Sequence, residues 1–365
     1  MTDMTQVNMC PSCGGMMRFD PESGHLKCDY CDTITTIERV EVEIVEHGLT
    51  GALAEGVHSW SDDDVKSISC KNCGAELIFE AHTKAKFCNY CGSSHISVHQ
   101  LEKTIPPGYL VPFKVTEKEA GTRFVEWLHK RWFAPSDLKS SYKNDRLKGT
   151  YVPYWTYDSD TRSYYTAQRG DYYYVTKTRT VNGKTETYQE RHTRWTNVSG
   201  HYNRFFDDVL VCASSKIDES VLGKLDGFGM GELETYKPEY LTGFFAERYS
   251  VPLDEGWERG KKVIERHLES DIRNRIGGDT IRMLNIQSDF NAVTFKHILL
   301  PIWMSSYLYK TKSYIFMING QNGEVDGTYP KSAVKIALAV LAVAMALFVL
   351  YLFISSQTGG GPAYY

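Results

Sequence analysis

Eight of the nine cysteines fall into four Cys-x-x-Cys pairs, and these are the residues whose type and spacing point most directly to chemistry. Cys10-Pro-Ser-Cys13-Gly14 is followed by Cys28-Asp-Tyr-Cys31, with fourteen residues between the pairs. Each pair offers two thiolates from one tight turn, and a glycine after the second cysteine tolerates the positive φ of such a turn. Fourteen residues suffice for a hairpin that brings four sulfurs around one tetrahedral ion, for which Zn²⁺ is the usual occupant. The device recurs as Cys70-Lys-Asn-Cys73-Gly74 and Cys88-Asn-Tyr-Cys91-Gly92, offset by 60 residues, and Phe19/Phe79 and Tyr30/Tyr90 superpose at the same offset. The expectation is an internal duplication of two zinc ribbons, at 1–37 and 67–100, holding two Zn²⁺ per chain. Iron in a rubredoxin-like site is the competing reading, since it uses the same geometry. His95 and His99 read as surface residues beside a complete cysteine quartet.

The elements that must carry these turns are strands and a linker. Glu38–Glu46 alternates as ERVEVEIVE, an edge-strand pattern inside a linker at 38–66 that ends in the acidic turn Ser61-Asp62-Asp63-Asp64. Residues 1–100 hold 15 Asp and Glu against 7 Lys and Arg, whereas 101–332 hold 30 against 33. Phosphate binding needs clustered cations, so an acidic ribbon region argues against nucleic acid and for a protein-binding or spacing role.

A β-rich α+β body is expected over 101–330. Thr116-Glu-Lys-Glu119 reads as a capping box opening a helix, with Ala120, Phe124, Trp127, Leu128 and Trp132 as one stripe and Ala134-Pro135 as its end. After Lys148–Trp155 comes a tyrosine-dense run, and Asn182-Gly183 signals a type I′ hairpin pairing Val181 with Lys184, Thr180 with Thr185 and Arg179 with Glu186. Both faces of that ribbon are polar beyond its base, so it should project into solvent as an arm. Asp207–Ser215 reads as a short strand, and its Cys212 as a small core residue. A second helix over Trp257–Arg275 has Ile264, Leu268 and Ile272 on one face and the pairs Glu258/Lys262, Glu269/Arg273 and Asp271/Arg275. Ile281–Ile286, Ala292–Leu300 and Ile302–Tyr309 read as three strands. Val-Pro153-Tyr-Trp155 and Leu-Pro301-Ile-Trp303 resemble one another as strand openings. Phosphate-cradling, dinucleotide, nucleophile-elbow and zincin motifs do not occur, which leaves the reading non-enzymatic.

From Ile336 to Ile354 the chain carries no charge, proline or glycine. These residues would span roughly 28 Å, close to the ~30 Å apolar core of a bilayer. The expectation is one transmembrane helix over 333–355 with a tail at 356–365. Lys310, Lys312, Lys331 and Lys335 precede it and no Lys or Arg follows, so the N-terminal part belongs in the cytoplasm of a single-pass cell-membrane protein.

Taken together, the CxxCG ribbons, VPFKVTEKEA at 111–120, KGTYVPYW at 148–155, LLPIW at 299–303 and INGQNGEVDG at 318–327 before an apolar helix resemble one bacterial family. Its members are membrane-anchored double zinc-ribbon proteins, labelled as TFIIB-type zinc ribbons or as relatives of the primosomal protein N′ helicase. The helicase part does not carry over, because this chain lacks a phosphate-cradling loop. Similar proteins work with SPFH (flotillin-like) scaffold proteins and phage-shock-type membrane-stress proteins, so the resemblance implies partners of that kind. The function expected is a membrane adaptor that recruits or organises cytoplasmic proteins. The alternative is a membrane-tethered nucleic-acid-binding protein in replication or transcription.

Overall fold

Residues 148–212 are rich in Tyr and Thr, and 280–309 carry Ile, Phe, Tyr and Trp, types that suit a pleated backbone. In the computed structural model they form three strands far longer than the usual three to ten residues. The structure describes residues 9–38, 44–55, 65–71, 76–80, 96–100, 105–141, 147–181, 184–217, 225, 227–309 and 312–358. The whole is mixed α+β, with strands outweighing helices. In chain order the strands are β1 (Met17–Asp20), β2 (His25–Cys28), β3 (Ile34–Thr35), β4 (His47–Gly48), β5 (Val65–Cys70), β6 (Glu76–Glu80), β7 (Ile96–Gln100), β8 (Tyr109–Leu110), β9 (Lys148–Val181), β10 (Lys184–Cys212), β11 (Glu234–Thr235), β12 (Phe245–Glu247), β13 (Thr280–Tyr309), β14 (Lys312–Asn319) and β15 (Val325–Gly327). The helices are α1 (Leu49–Glu55), α2 (Glu117–Lys130), α3 (Ser136–Ser141), α4 (Leu253–Ile276) and α5 (Ala333–Thr358).

Strand β9 is the axis. It pairs antiparallel with β10 from Val181↔Lys184 to Tyr154↔Cys212, and with β13 from Gly170↔Thr280 to Lys148↔Met304. The pairings Val181↔Lys184, Thr180↔Thr185 and Arg179↔Glu186 are those expected about Asn182-Gly183, which itself lies outside the described residues. The three strands expected over 281–309 are one. It carries bulges at Arg282/Asn285 and Asn291/Thr294, where Met283 and Ala292 take φ of 53° and 48°, and it runs unbroken through Pro301, which pairs with Tyr151. A bulge breaks the apolar alternation as a turn does, without ending the strand. Asp207–Ser215 is likewise no separate strand; it continues β10 past a bulge at which Asp208 has φ 51°.

Beyond Gly170 the β13 partner ends, and β9 and β10 continue as a two-stranded ribbon whose residues are exposed or half-buried. The Arg179–Glu186 pair (3.3 Å) and the Lys177–Glu190 pair tie it across.

Helix α2 starts on the expected capping box: the Thr116 hydroxyl accepts from the Glu119 amide at 3.3 Å, and the Glu119 carboxylate accepts from the Thr116 amide at 2.9 Å. Phe124 stacks on Phe316 at 3.5 Å, and Trp127 meets Tyr329 edge-on at 5.7 Å. Trp132 does not join this stripe; it lies past the end of α2 and is 69% exposed. Part of the expected linker is folded, as β4 pairs with Thr294 and Phe295 of β13 and α1 follows it. The charged run at 39–43 and the acidic turn at 61–64 lie outside the described residues.

Helix α4 lies on the sheet through Ile264, Leu268 and Ile272, all fully buried. Glu269 pairs with Arg273 as expected, but Glu258 pairs with Lys261, and Asp271 reaches across to Arg204 at 2.6 Å in place of Arg275. A carboxylate facing the sheet finds the nearer cation there. The first turns of α4 come close to β9: Trp155 Nε1 donates to the Val251 carbonyl at 3.0 Å, and the Tyr157 hydroxyl to that of Leu253 at 2.8 Å. This approach depends on glycine. A Cβ on Gly256 would stand 2.5 Å from the Tyr157 hydroxyl and 2.6 Å from the Trp155 ring. Gly256→Ala should therefore destabilise the protein by about 1–3 kcal/mol through overpacking, although the same change in an open helix stabilises by about 1 kcal/mol. Chemical denaturation of the two proteins checks this, and a midpoint equal to or above that of the wild type would refute the close approach.

Candidate metal centre

The N-terminal strands form a small three-stranded sheet, β1-β2-β3, whose buried residues Met17, Phe19, Leu26 and Ile37 are too few to hold it alone. Its two turns are built alike. The Cys10 carbonyl accepts from the Gly14 amide (2.9 Å) and the Cys28 carbonyl from the Asp32 amide (3.1 Å). In the same way the Cys10 amide donates to Gly15 (2.7 Å) and the Cys28 amide to Thr33 (3.0 Å). Residue 14 has φ 73° and residue 32 has φ 57°. The second turn therefore demands the same left-handed conformation without a glycine. Asp is among the few side chains that accept it, and Asp32 also pairs with Lys27 at 3.2 Å. Sequence reading recognised the glycine and missed the aspartate, for which the matching position after a Cys-x-x-Cys pair is the available signal.

These turns bring Cys10, Cys13, Cys28 and Cys31 together, with all four sulfurs within 4.8 Å of one another. The Cys10–Cys31 separation is 3.4 Å and the Cys13–Cys28 separation 3.6 Å. Four thiolates around one Zn²⁺ at ~2.3 Å sit about 3.8 Å apart, so the quartet fits a tetrahedral ion. Cys10 and Cys28 are buried, while Cys13 and Cys31 are exposed. Their protons are unevenly held. Burial raises the Cys10 thiol, but the Cys13 and Ser12 amides and the sulfurs of Cys31 and Cys13 bring it down to about 6. The Thr33 hydroxyl and amide lower Cys31. Cys13, in spite of the Gly15 amide, is pushed up to about 12 by the sulfurs of Cys31 and Cys28. A bound dication removes this competition by letting every sulfur ionise.

The small sheet is docked on the body. The Phe19 amide donates to the Thr242 carbonyl at 3.0 Å, and the Phe19 ring lies 5.3 Å from Tyr240 and 6.2 Å from Phe244. A few residues on, β12 pairs with β6, Ala246 opposite Ile78 and Glu247 opposite Leu77. Of the second quartet, Cys70 is buried at the end of β5, and Cys73, Cys88 and Cys91 lie outside the described residues. Cys212 is buried in the body, with its sulfur accepting from the Ser214 amide at 3.4 Å.

A second group, Glu46, Asp158 and Asp207, also has ligand-type atoms within 4.8 Å, but a cation of the chain is already among these acids. Lys296, 3% exposed, lies 2.9 Å from Glu46, 2.7 Å from Asp208 and 3.7 Å from Asp158. Burial, helped by the neighbouring Glu46 and opposed by the Asp208 amide and Lys296, pushes the Asp158 carboxyl up to about 6. This is an ion-pair network that fastens residue 46 to β13. Buried His297 donates through Nδ1 to the Ile105 carbonyl (2.9 Å), and burial lowers its pKa to about 4, so the imidazole is neutral.

Helix α5 completes the inventory: Ala333–Ile354 is long and apolar enough to cross a membrane, and none of it is buried against the body. Fold and site thus define a strand-rich α+β chain with a four-cysteine cluster able to hold a metal ion and one helix able to span a bilayer. The chain belongs to the family of the uncharacterized protein YdjG of Bacillus subtilis (strain 168), with which it is 30% identical over 361 residues, covering 96% of this chain and 98% of that protein. No family model matches the chain, and no solved structure matches it.

Because the thiols must lose protons to bind metal, uptake at the Cys10–Cys31 quartet should release protons, and affinity should fall as the pH is lowered from about 8 towards 6. Competition against a chromophoric chelator across that range measures the slope. A pH-independent affinity, or a Cys28→Ser variant with undiminished metal content, would remove this quartet as the site.

Proposed function

We propose that this protein is a membrane-anchored zinc-ribbon adaptor, held in the bilayer by α5 with residues 1–330 in the cytoplasm, that recruits or organises cytoplasmic proteins at the membrane. The observation that carries the reading is the combination of an apolar helix with no part buried and a cysteine quartet, able to hold a metal ion, docked on the body. Lys331 and Lys335 at the start of α5 support the orientation. We read the metal as Zn²⁺, with one ion on Cys10, Cys13, Cys28 and Cys31 and a second on Cys70, Cys73, Cys88 and Cys91. The backbone supports a repeat: the bridge Met9↔Met16 beside the first quartet recurs as Ser69↔Glu76 beside the second, at the same 60-residue offset. SPFH-type scaffold proteins are the partners that the sequence resemblance suggests.

Nucleic acid is the less favoured ligand. The arm offers Lys and Arg interleaved with aromatics, but Arg191 lies over Tyr172 (4.4 Å), Arg194 over Tyr173 (5.6 Å) and Arg282 over Trp195 (3.9 Å). Lys177 and Arg179 are paired with Glu190 and Glu186. Cations engaged in this way offer little to phosphate.

Metal analysis of the full chain in detergent should find two Zn²⁺ per chain, and a periplasmic-type reporter fused after the last residue should be active. One ion, iron, or an active cytoplasmic reporter at that position would each correct the proposal. Affinity purification from detergent-solubilised membranes should yield a stoichiometric protein partner that the Cys28→Ser variant retains poorly. The same material should bind single- and double-stranded DNA and RNA only weakly at physiological salt. Tight, salt-resistant binding that Arg191→Ala abolishes would promote the nucleic-acid reading instead.

A further inference from the structure

The turn after α2 and the start of α5 are fastened together. The Ser332 amide donates to the Phe133 carbonyl at 2.8 Å, and Lys335 Nζ donates to the Ala134 carbonyl at 2.8 Å. Ser332 in turn caps α5, its hydroxyl accepting from the Lys335 amide at 3.4 Å. Ala134 is fully buried, so the turn rests on the body beneath it. Immediately before these anchors Trp132 is 69% exposed, and among the described residues its ring neighbour is Phe133 at 5.7 Å. A large amphipathic ring left in water is a poor use of about 150–250 Å² of burial. The bonds to 332–335 place this turn level with the first turn of α5, where exposed apolar side chains begin at Val334.

On the strength of the membrane reading above, we propose that Trp132 is a second, peripheral anchor: its indole enters the headgroup layer of the bilayer that holds α5 and seats the body on the membrane surface. The depth is right for it, since tryptophan favours the membrane–water interface, with its ring body towards the acyl chains and its N–H towards water. The charges beside it suit the same layer. Lys130 and Lys331 are exposed on either side of the turn, and Lys335 is half-buried above it. Arg131 is held against the body, stacked on Trp127 (4.5 Å) and near Tyr329 (5.9 Å). The acidic residues nearest in the chain are Glu126 on α2 and Asp137 on α3, the latter accepting from the Tyr309 hydroxyl at 2.9 Å. With its side chain anchored at one point and the helix at another, the body would be fixed in tilt as well as in position.

The test uses the full chain reconstituted in vesicles of phosphatidylcholine with a minority of phosphatidylglycerol, and lipids brominated either high on the acyl chain or near its end. Tryptophan emission of the wild type should be quenched more by the shallow bromine. Trp132→Phe should lose the larger part of that shallow quenching while keeping its metal content, its far-ultraviolet spectrum and its resistance to carbonate extraction. Shallow quenching unchanged in Trp132→Phe, with the chain still resistant to carbonate, would overturn the second anchor and leave the membrane helix standing. Release of the wild type by carbonate would instead overturn the membrane reading on which the proposal rests. Stronger quenching by the deep bromine would place the ring below the headgroup layer and also overturn it.

Discussion

From Lys148 to Gly170 the backbone of β9 makes hydrogen bonds along both of its edges, and most of the remaining structure follows from that arrangement. A strand flanked on both sides presents only its two faces, and each must be covered or tolerate water. Near its base both are covered: one carries Trp155 and Tyr157 under α4 and Tyr151 in the aromatic cluster of Phe113, Phe244 and Trp303, and the other carries Val152 and Tyr154 in a cluster with Leu300 and Ile302. Farther out only one face stays covered, with Tyr165 and Ala167 beneath Ile272 and Ile276 of α4, while Tyr164 on the other face is exposed. The transition is marked by bulges in both neighbours of β9, at Asp208 and Ala292, and by the buried Lys296 network at the same level. Removing Lys296 alone would leave carboxylates buried without a counter-charge, the costly way to break such a network.

Attachment of the cysteine-bearing units is economical. A single stretch of the body, Tyr240–Glu247, receives β1 through Phe19 and β6 through β12. A metal ion held at the first quartet would therefore order a sheet whose Phe19 is part of the same apolar cluster as Tyr151 and Trp303. Binding of such an ion and packing on the body would reinforce each other, since it would supply folding free energy that so small a sheet lacks.

Several features were legible in the residues alone, each because a local rule governs it. The capping box at Thr116, the pairing about Asn182-Gly183, the apolar face of α4 and the span of α5 all rest on interactions within a few residues. The Cys10–Cys31 cluster was legible because metal ligands impose spacing. What sequence could not supply was continuity. Bulges at Ala292 and Asp208 and the proline at 301 made β10 and β13 read as fragments, because a break in alternation or a proline looks like a turn. The partner of Asp271 was misread because Arg204 is distant in sequence, and Trp132 was placed in the stripe of α2 because helical spacing continued past the helix end. The likeness of Val-Pro153-Tyr-Trp155 and Leu-Pro301-Ile-Trp303 has a spatial counterpart: Pro153 pairs with Leu299 and Pro301 with Tyr151, and the two indoles donate to the Val251 and Val115 carbonyls.

The long central strand also dictates the order in which the molecule can assemble. The β9–β10 hairpin closes from its tip and zips through near neighbours, which is fast. The edge that joins β9 to β13 brings Lys148 to Met304, so the chain must first close a loop of more than a hundred residues, an entropic expense met before any ladder bond is gained. Until α4 has settled on the hairpin and β13 has arrived, one long edge of β9 stays open to any extended chain nearby. The slow step of folding is thus also the interval of greatest exposure to mispairing, and it ends when β13 takes its place.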